Sequence, residues 1–204
     1  IISGLVGSEM CIRDRNTAAT DDITININDN PSVADLNTIA GKTAGVVTAT
    51  LASTAAAALA SLSTAATDVI TIPVSDTISV SALNTLAGKT AGVVTATATT
   101  GDTASFSSLA TDSNDVITIN INDNPSVSAL NTIAGKTAGV VTATLASTAK
   151  ADLVALSTAS TDVITVPVSD TVSVTELNTI AGKTAGVVTA TLASTAAALS
   201  LIHI

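Results

Sequence analysis

The side chains able to do chemistry recur in columns. Asp21, Asp68, Asp115 and Asp162 follow one another at 47-residue intervals, as do Asp29, Asp76, Asp123 and Asp170. A lysine column, Lys42, Lys89, Lys136 and Lys183, has the same spacing. The sequences Asn28-Asp29-Asn30 and Asn122-Asp123-Asn124 cluster hard oxygen donors of the kind calcium takes, which makes the second Asp column a set of weak calcium candidates. The same residues also suit Asx turns and negative charge at helix N-termini. The first Asp column and the lysines fall at one edge of the repeat. They read as a surface charge ladder, with the lysines also placed to stabilise helix C-termini. Thr48/Thr50, Thr95/Thr97, Thr142/Thr144 and Thr189/Thr191 form Thr-x-Thr pairs that would line a hydroxyl-rich face. Residues 16–198 contain no His and no Cys, which excludes Ser–His and Cys–His nucleophilic arrangements. The carboxylates recur identically in every unit, as scaffold residues do. No catalytic residue is identified, and the chain reads as a non-enzyme with no cofactor beyond a calcium option.

The elements that hold these columns come from a repeated text. LNTIAGKTAGVVTAT occurs at 36–50, 83–97, 130–144 and 177–191, with Leu86 the one departure. A fixed period of this size marks a stacked repeat. Each 47-residue unit contains two halves, and each half opens with a β-branched alternation. Ile23, Ile25 and Ile27 alternate with Thr24, Asn26 and Asn28; Val47, Ala49 and Leu51 alternate with Val46, Thr48 and Thr50. The same pattern near 69–74, 93–97, 116–121, 140–145, 163–168 and 187–192 predicts eight strands. A helix signal follows each strand. Ser32-Val33-Ala34-Asp35 and Ser173-Val174-Thr175-Glu176 have capping-box form. Gly41, Gly88, Gly135 and Gly182 stand where a left-handed C-cap is expected. In the second half of unit one, Ser53 or Thr54 can cap a helix over Ala55–Leu62, with Leu59 and Leu62 buried. The fourth helix, near Thr103–Leu109, is the weakest, with Phe106 in the place of Leu59. Pro73 and Pro167 each remove a ladder donor, so their strands are expected to stop near residues 72 and 166.

Strand–helix alternation at about 23 residues per pair implies parallel strands joined by right-handed crossovers. The expected fold is α/β: a single-layer parallel-sheet solenoid of strand–helix rungs with all helices on one face. An all-β solenoid is the alternative. One rung cannot bury its own apolar surface, so neighbouring rungs must complete it.

The 204-residue chain carries a formal charge of −9, from 7 Lys and Arg against 16 Asp and Glu. That balance argues against nucleic-acid binding through phosphate neutralisation. No apolar run approaches about 18 residues, so no membrane span is expected. Residues 1–15 and 199–204 break from the repeat. LVGSEMCIRD near the start and LSLIHI at the end resemble conceptual translations of a sequencing adapter, and both segments are read as artefacts. Residues 16–198 then form one solenoid of four repeats.

The Thr-x-Thr pairs resemble the threonine arrays of β-solenoid ice-binding proteins. However, the intervening rungs carry Thr-x-Asn or Thr-x-Pro, and a curved sheet would fit a crystal plane badly. The Ser-Val-x-x-Leu-Asn-x-Ile text of all four units resembles the tandem repeats of very large bacterial surface or secreted proteins. These are often associated with adhesin or hemolysin-type modules. The resemblance implies an extracellular or cell-surface location and a structural or adhesive role. Neighbouring repeats are the expected partners, with surface glycans as further candidates. The alternative is a module that binds glycan or ice through the Thr/Asn strand face.

Overall fold

A computed structural model describes residues 18–194. Eight parallel strands alternate with seven helices among these residues, an α/β solenoid arrangement of strand–helix rungs. The strands are β1 (Ile25–Asn26), β2 (Val47–Thr50), β3 (Val69–Ile78), β4 (Val94–Ala98), β5 (Val116–Asn120), β6 (Val141–Thr144), β7 (Val163–Val172) and β8 (Val188–Leu192). The helices are α1 (Val33–Ala40), α2 (Ala56–Leu59), α3 (Val80–Ala87), α4 (Thr103–Ser107), α5 (Val127–Ala134), α6 (Lys150–Leu153) and α7 (Val174–Ala181). The chain separates into two compact units. Among the described residues one contains 18–99, 108–119 and 136–139; the other contains 100–107, 120–135 and 140–194. In the first unit the strands follow the order β1-β2-β3-β4-β5, and in the second β6-β7-β8.

Burial follows the alternation. Ile70 and Ile72 of β3 are fully buried while Val69 between the rungs' turn and the core is exposed, and Val94, Ala96 and Ala98 of β4 alternate with exposed Thr95 and Thr97. The core is completed by two residues from each long helix, such as Leu36 and Ile39 or Leu83 and Leu86. Each short helix adds one residue: Leu59, Phe106 or Leu153. Phe106 is as fully buried as Leu59, so the aromatic ring takes the leucine's place without opening the rung.

The rungs do not stack at the repeat length. Ile25 pairs with Val47, 22 residues on, and Thr48 pairs with Val69, 21 residues on. Two rungs therefore advance the register by 43 residues, whereas the text repeats every 47. Equivalent positions in successive units are displaced by four residues, about 13 Å along the strand. This stagger explains the ten-residue β3: its start, 69–71, pairs back to β2, and 72–78 pairs forward to β4.

Three local expectations are corrected. β3 and β7 run through Pro73 and Pro167 instead of stopping before them. The proline carbonyls accept from Thr54 and Thr148 N–H at 3.0 Å, and the ladder to the next strand changes register between Pro73 and Thr77 and between Pro167 and Thr171. The missing donor thus falls beside a neighbouring segment that has already left its ladder, where β2 ends at Thr50. Gly41, Gly88, Gly135 and Gly182 are not left-handed; their φ values lie between −66° and −70°. The long helices end by tightening, with Lys42 N–H donating to Ile39 O and Lys89 N–H to Leu86 O, both at 2.9 Å, so no left-handed residue is needed. Ser53 and Thr54 do not cap α2, whose N-cap position, Ala55, supplies no side-chain bond.

The glycines that matter sterically are the next ones along. A Cβ on Gly92 would lie 2.6 Å from the carbonyl carbon of Ile70, and Gly45, Gly139 and Gly186 face Ile23, Ile117 and Ile164 in the same way. Here the turn into the strand crosses the preceding strand at backbone contact distance. Gly92→Ala should therefore lower stability by more than about 3 kcal/mol, because backbone must shift to admit the methyl. Gly88→Ala, whose Cβ would meet Asn84 O at an ordinary 3.5 Å, should change it by less than about 1 kcal/mol. Chemical denaturation of the two variants beside the parent measures the contrast.

Candidate functional site

The polar columns identified in the sequence meet the backbone of neighbouring rungs. Asp68, Asp115 and Asp162 are buried, at 3%, 6% and 2% exposure, so they are not a surface charge ladder. Oδ1 of each accepts the N–H of the valine that opens the preceding strand, Val47, Val94 or Val141, at 2.8 Å. Oδ2 accepts the N–H three residues upstream, from Ala65, Asp112 or Ala159, at 2.8, 3.2 and 2.8 Å. Each carboxylate thus satisfies two backbone donors by charge-assisted bonds.

A buried threonine completes the junction on the other side. Thr90 Oγ1 accepts the N–H of Ile70 and of Gly92, both at 2.8 Å, and its hydroxyl donates to Ile70 O, at 2.8 Å, or Asp68 O, at 3.1 Å. Thr43, Thr137 and Thr184 repeat this set. With the close-packed glycine two residues on, it gives a physical reason for the Lys-Thr-Ala-Gly core of the repeat. Sequence reading passed over these threonines; their invariance within an otherwise permissive turn was the available signal.

The other columns hold helix ends. The lysine Nζ of Lys89, Lys136 and Lys183 donates to Leu62 O, Leu109 O and Leu156 O. These carbonyls lie just past the short helix of the preceding rung, and Lys89 and Lys183 also reach that helix's C-cap carbonyls, Ala60 O at 3.4 Å and Val154 O at 3.2 Å. Asp76, Asp123 and Asp170 work at the opposite end. They accept the first N–H groups of α2, α4 and α6, from Ala56, Thr103 and Lys150, at 2.8, 2.9 and 3.0 Å. An N-cap is normally supplied by the residue just before the helix; here it comes from 20 residues later, on β3 for Asp76, on β7 for Asp170 and in the bend just past β5 for Asp123. Asn37, Asn84 and Asn131 each clamp the loop after the next short helix. The Asn37 amide donates to Ser61 O and its carbonyl accepts from Ser63 N, both at 2.8 Å, with Asn84 and Asn131 alike.

The calcium candidates therefore stand one per unit, with Asp76, Asp123 and Asp170 engaged at helix N-termini and Asp29 exposed. Among the described residues no group of three acidic, His or Cys side chains converges. Of the threonine pairs, Thr50, Thr95, Thr97, Thr144, Thr189 and Thr191 are exposed, while Thr48 and Thr142 are half-buried. In the first unit Thr97 pairs with Thr77 on one side and Thr118 on the other, so three threonines share a row.

Two further features lie in the second unit. A cleft of about 880 Å³ runs beside α5 and α6, lined by Ser126, Ser128, Asn131, Thr132 and Asp152. Ser126 and Asn131 are already committed to a helix cap and to the loop clamp. Lys150 and Glu176 form an ion pair at 3.1 Å. The Ser173 N–H, then Lys150, holds the Glu176 carboxyl down to about 2, and Ser173 and Glu176 complete a reciprocal capping box on α7. No helix among the described residues is long and apolar enough to cross a membrane.

Compared with protein-family models, curated proteins and solved structures, the chain matches none.

Asp115→Ala leaves the N–H groups of Val94 and Asp112 without their acceptor and should cost about 2–4 kcal/mol. Asp112→Ala, three residues away and exposed, should cost less than about 1 kcal/mol. The difference in denaturation midpoint between the two variants checks the assignment of the buried column.

Proposed function

We propose that this chain is a non-catalytic structural and adhesive repeat segment of a large extracellular bacterial protein, with neighbouring repeats as its main partners. One observation carries the reading. Asp68, Asp115 and Asp162, the buried threonines of the Lys-Thr-Ala-Gly turns, Asn37, Asn84 and Asn131, and Lys89, Lys136 and Lys183 bond to backbone groups of adjoining rungs, and do so alike from unit to unit. A binding or catalytic site makes one rung differ from the others, and here the polar sets are copies. Extracellular placement rests on the resemblance of the repeat text to tandem repeats of bacterial surface proteins, and surface glycans are the external partner consistent with it.

The row Thr77–Thr97–Thr118 favours a second reading, a module that binds glycan or ice through its strand face. A glycan array and an ice-affinity partition of the 204-residue chain discriminate the two. The structural reading expects no selective retention by either. Retention that is lost on Thr97→Tyr, with the fold intact by circular dichroism, would replace it with the binding reading.

A further inference from the structure

The repeat stops copying itself on one helix. Residues 115–157 repeat 21–63 at all but seven positions, and four of the seven fall within 150–155, where Lys150, Asp152, Val154 and Ala155 replace Ala56, Ala58, Ala60 and Ser61. Three of the seven, Ser128, Asp152 and Ala155, line the cleft of about 880 Å³ beside α5 and α6. Two more, Lys150 and Val154, line a smaller hollow between α6 and α7. Five of the changes between two otherwise copied stretches thus surround α6, which is where a site belonging to one rung alone would lie.

The cleft offers hydrogen-bond acceptors and one charge. Asp152 is the single charged side chain lining it among the described residues, and nothing among them bonds to its carboxylate. Lys150 does not neutralise it, because its Nζ is paired with Glu176 at 3.1 Å and residues two apart on a helix do not face one another. The neighbouring donors are engaged inside the fold. The Thr132 hydroxyl donates to Ser128 O at 3.0 Å and the Thr148 hydroxyl to Ala146 O at 2.6 Å, which leaves both oxygens able to accept. The Asn124 amide donates to Thr144 O at 2.9 Å and the Asn131 amide to Ala155 O at 2.7 Å. A ligand fitted to this surface is cationic and rich in N–H groups. Calcium needs about six to eight oxygen ligands, and one carboxylate is a poor start on them. A neutral sugar hydroxyl looks for donors as well as acceptors.

We propose that the cleft between α5 and α6 docks an extended, arginine-bearing peptide segment of a partner protein, with the guanidinium on Asp152. Guanidinium is a planar fork that binds a carboxylate through two N–H groups and keeps others for acceptors such as Thr132 Oγ1 and Thr148 Oγ1. A volume of about 880 Å³ is that of a ligand site and far exceeds one guanidinium, so flanking peptide residues share it, against Val127, Ala146 and Ala151. The formal charge of −9 draws a basic segment toward the chain, and Asp152 fixes where it stops. This goes beyond the structural and adhesive role proposed above and does not depend on it, since the rungs complete one another whether or not the cleft is filled.

Fluorescence anisotropy of a labelled Gly-Arg-Gly-Arg-Gly peptide, titrated with the 204-residue chain, tests it beside Asp152→Asn and Asp22→Asn. Each variant removes one carboxylate at an exposed position with little change of shape, so both should fold, which circular dichroism verifies. The parent should bind saturably. Asp152→Asn should bind at least about fivefold more weakly, and Asp22→Asn within about twofold of the parent. Amide shifts in nuclear magnetic resonance spectra of the parent should centre on Ser128, Thr132, Thr148 and Asp152 as the peptide is added. The same peptide with glutamine in place of arginine should leave them unmoved. Equal weakening by the two variants would mean diffuse charge attraction and overturns the proposal. So do shifts centred elsewhere, no saturable binding up to the solubility limit of the chain, or equal shifts of the same amides by the neutral peptide or by maltohexaose.

Discussion

The structure depends on how the first backbone N–H of a strand is satisfied. In a parallel repeat the valine opening β2, β4 or β6 points its N–H at the next rung, where the chain is still turning and offers no carbonyl. A buried unpaired N–H costs about 1–3 kcal/mol, a large fraction of what one rung can contribute. Asp68, Asp115 and Asp162 remove that cost with one carboxylate oxygen and use the other to close their own turn. The threonine at the lysine-rich turn performs the matching task for Ile70, Ile117 and Ile164. Each rung is therefore finished by groups that belong to another rung.

The same rule governs the helices. α2 and α6 are four residues long, too short to hold themselves in water. Their first N–H is taken by an aspartate from the following strand, and the loop just past them is held by a lysine Nζ on the Leu62 or Leu156 carbonyl and by the Asn37 or Asn131 amide oxygen, which accepts the Ser63 or Ser157 N–H. The stagger of four residues per unit makes these reaches workable. It sets the middle of β3 and β7 opposite the start of the preceding short helix, so that Asp76 and Asp170 arrive at its N-terminus.

The sequence made the alternation of strand and helix legible because hydrophobic period and capping residues are local. All eight strands, the capping box at Ser173 and the Ser32 N-cap were readable in this way. What was not legible was where long-range bonds go. Asp68 reads as a surface charge because aspartate is usually exposed, and its burial follows from a register offset of 21 residues that no local pattern encodes. Gly41 and Gly92 look equally like turn glycines, yet Gly92 is the one pressed on a neighbouring strand. Pro73 reads as a strand end unless the departure of the preceding strand at Thr50 is known. The candidate sites divided the same way: the columns were visible, their engagement with backbone was not.

The central claim is that rungs are completed by their neighbours, and stability as a function of repeat number tests it most directly. Proteins of one, two, three and four 47-residue units would be denatured side by side. The account predicts an unfolded single unit and a midpoint that climbs with each added unit, because every added unit supplies acceptors and donors that the previous one lacks. A single unit that folds cooperatively to a midpoint equal to that of four would contradict it.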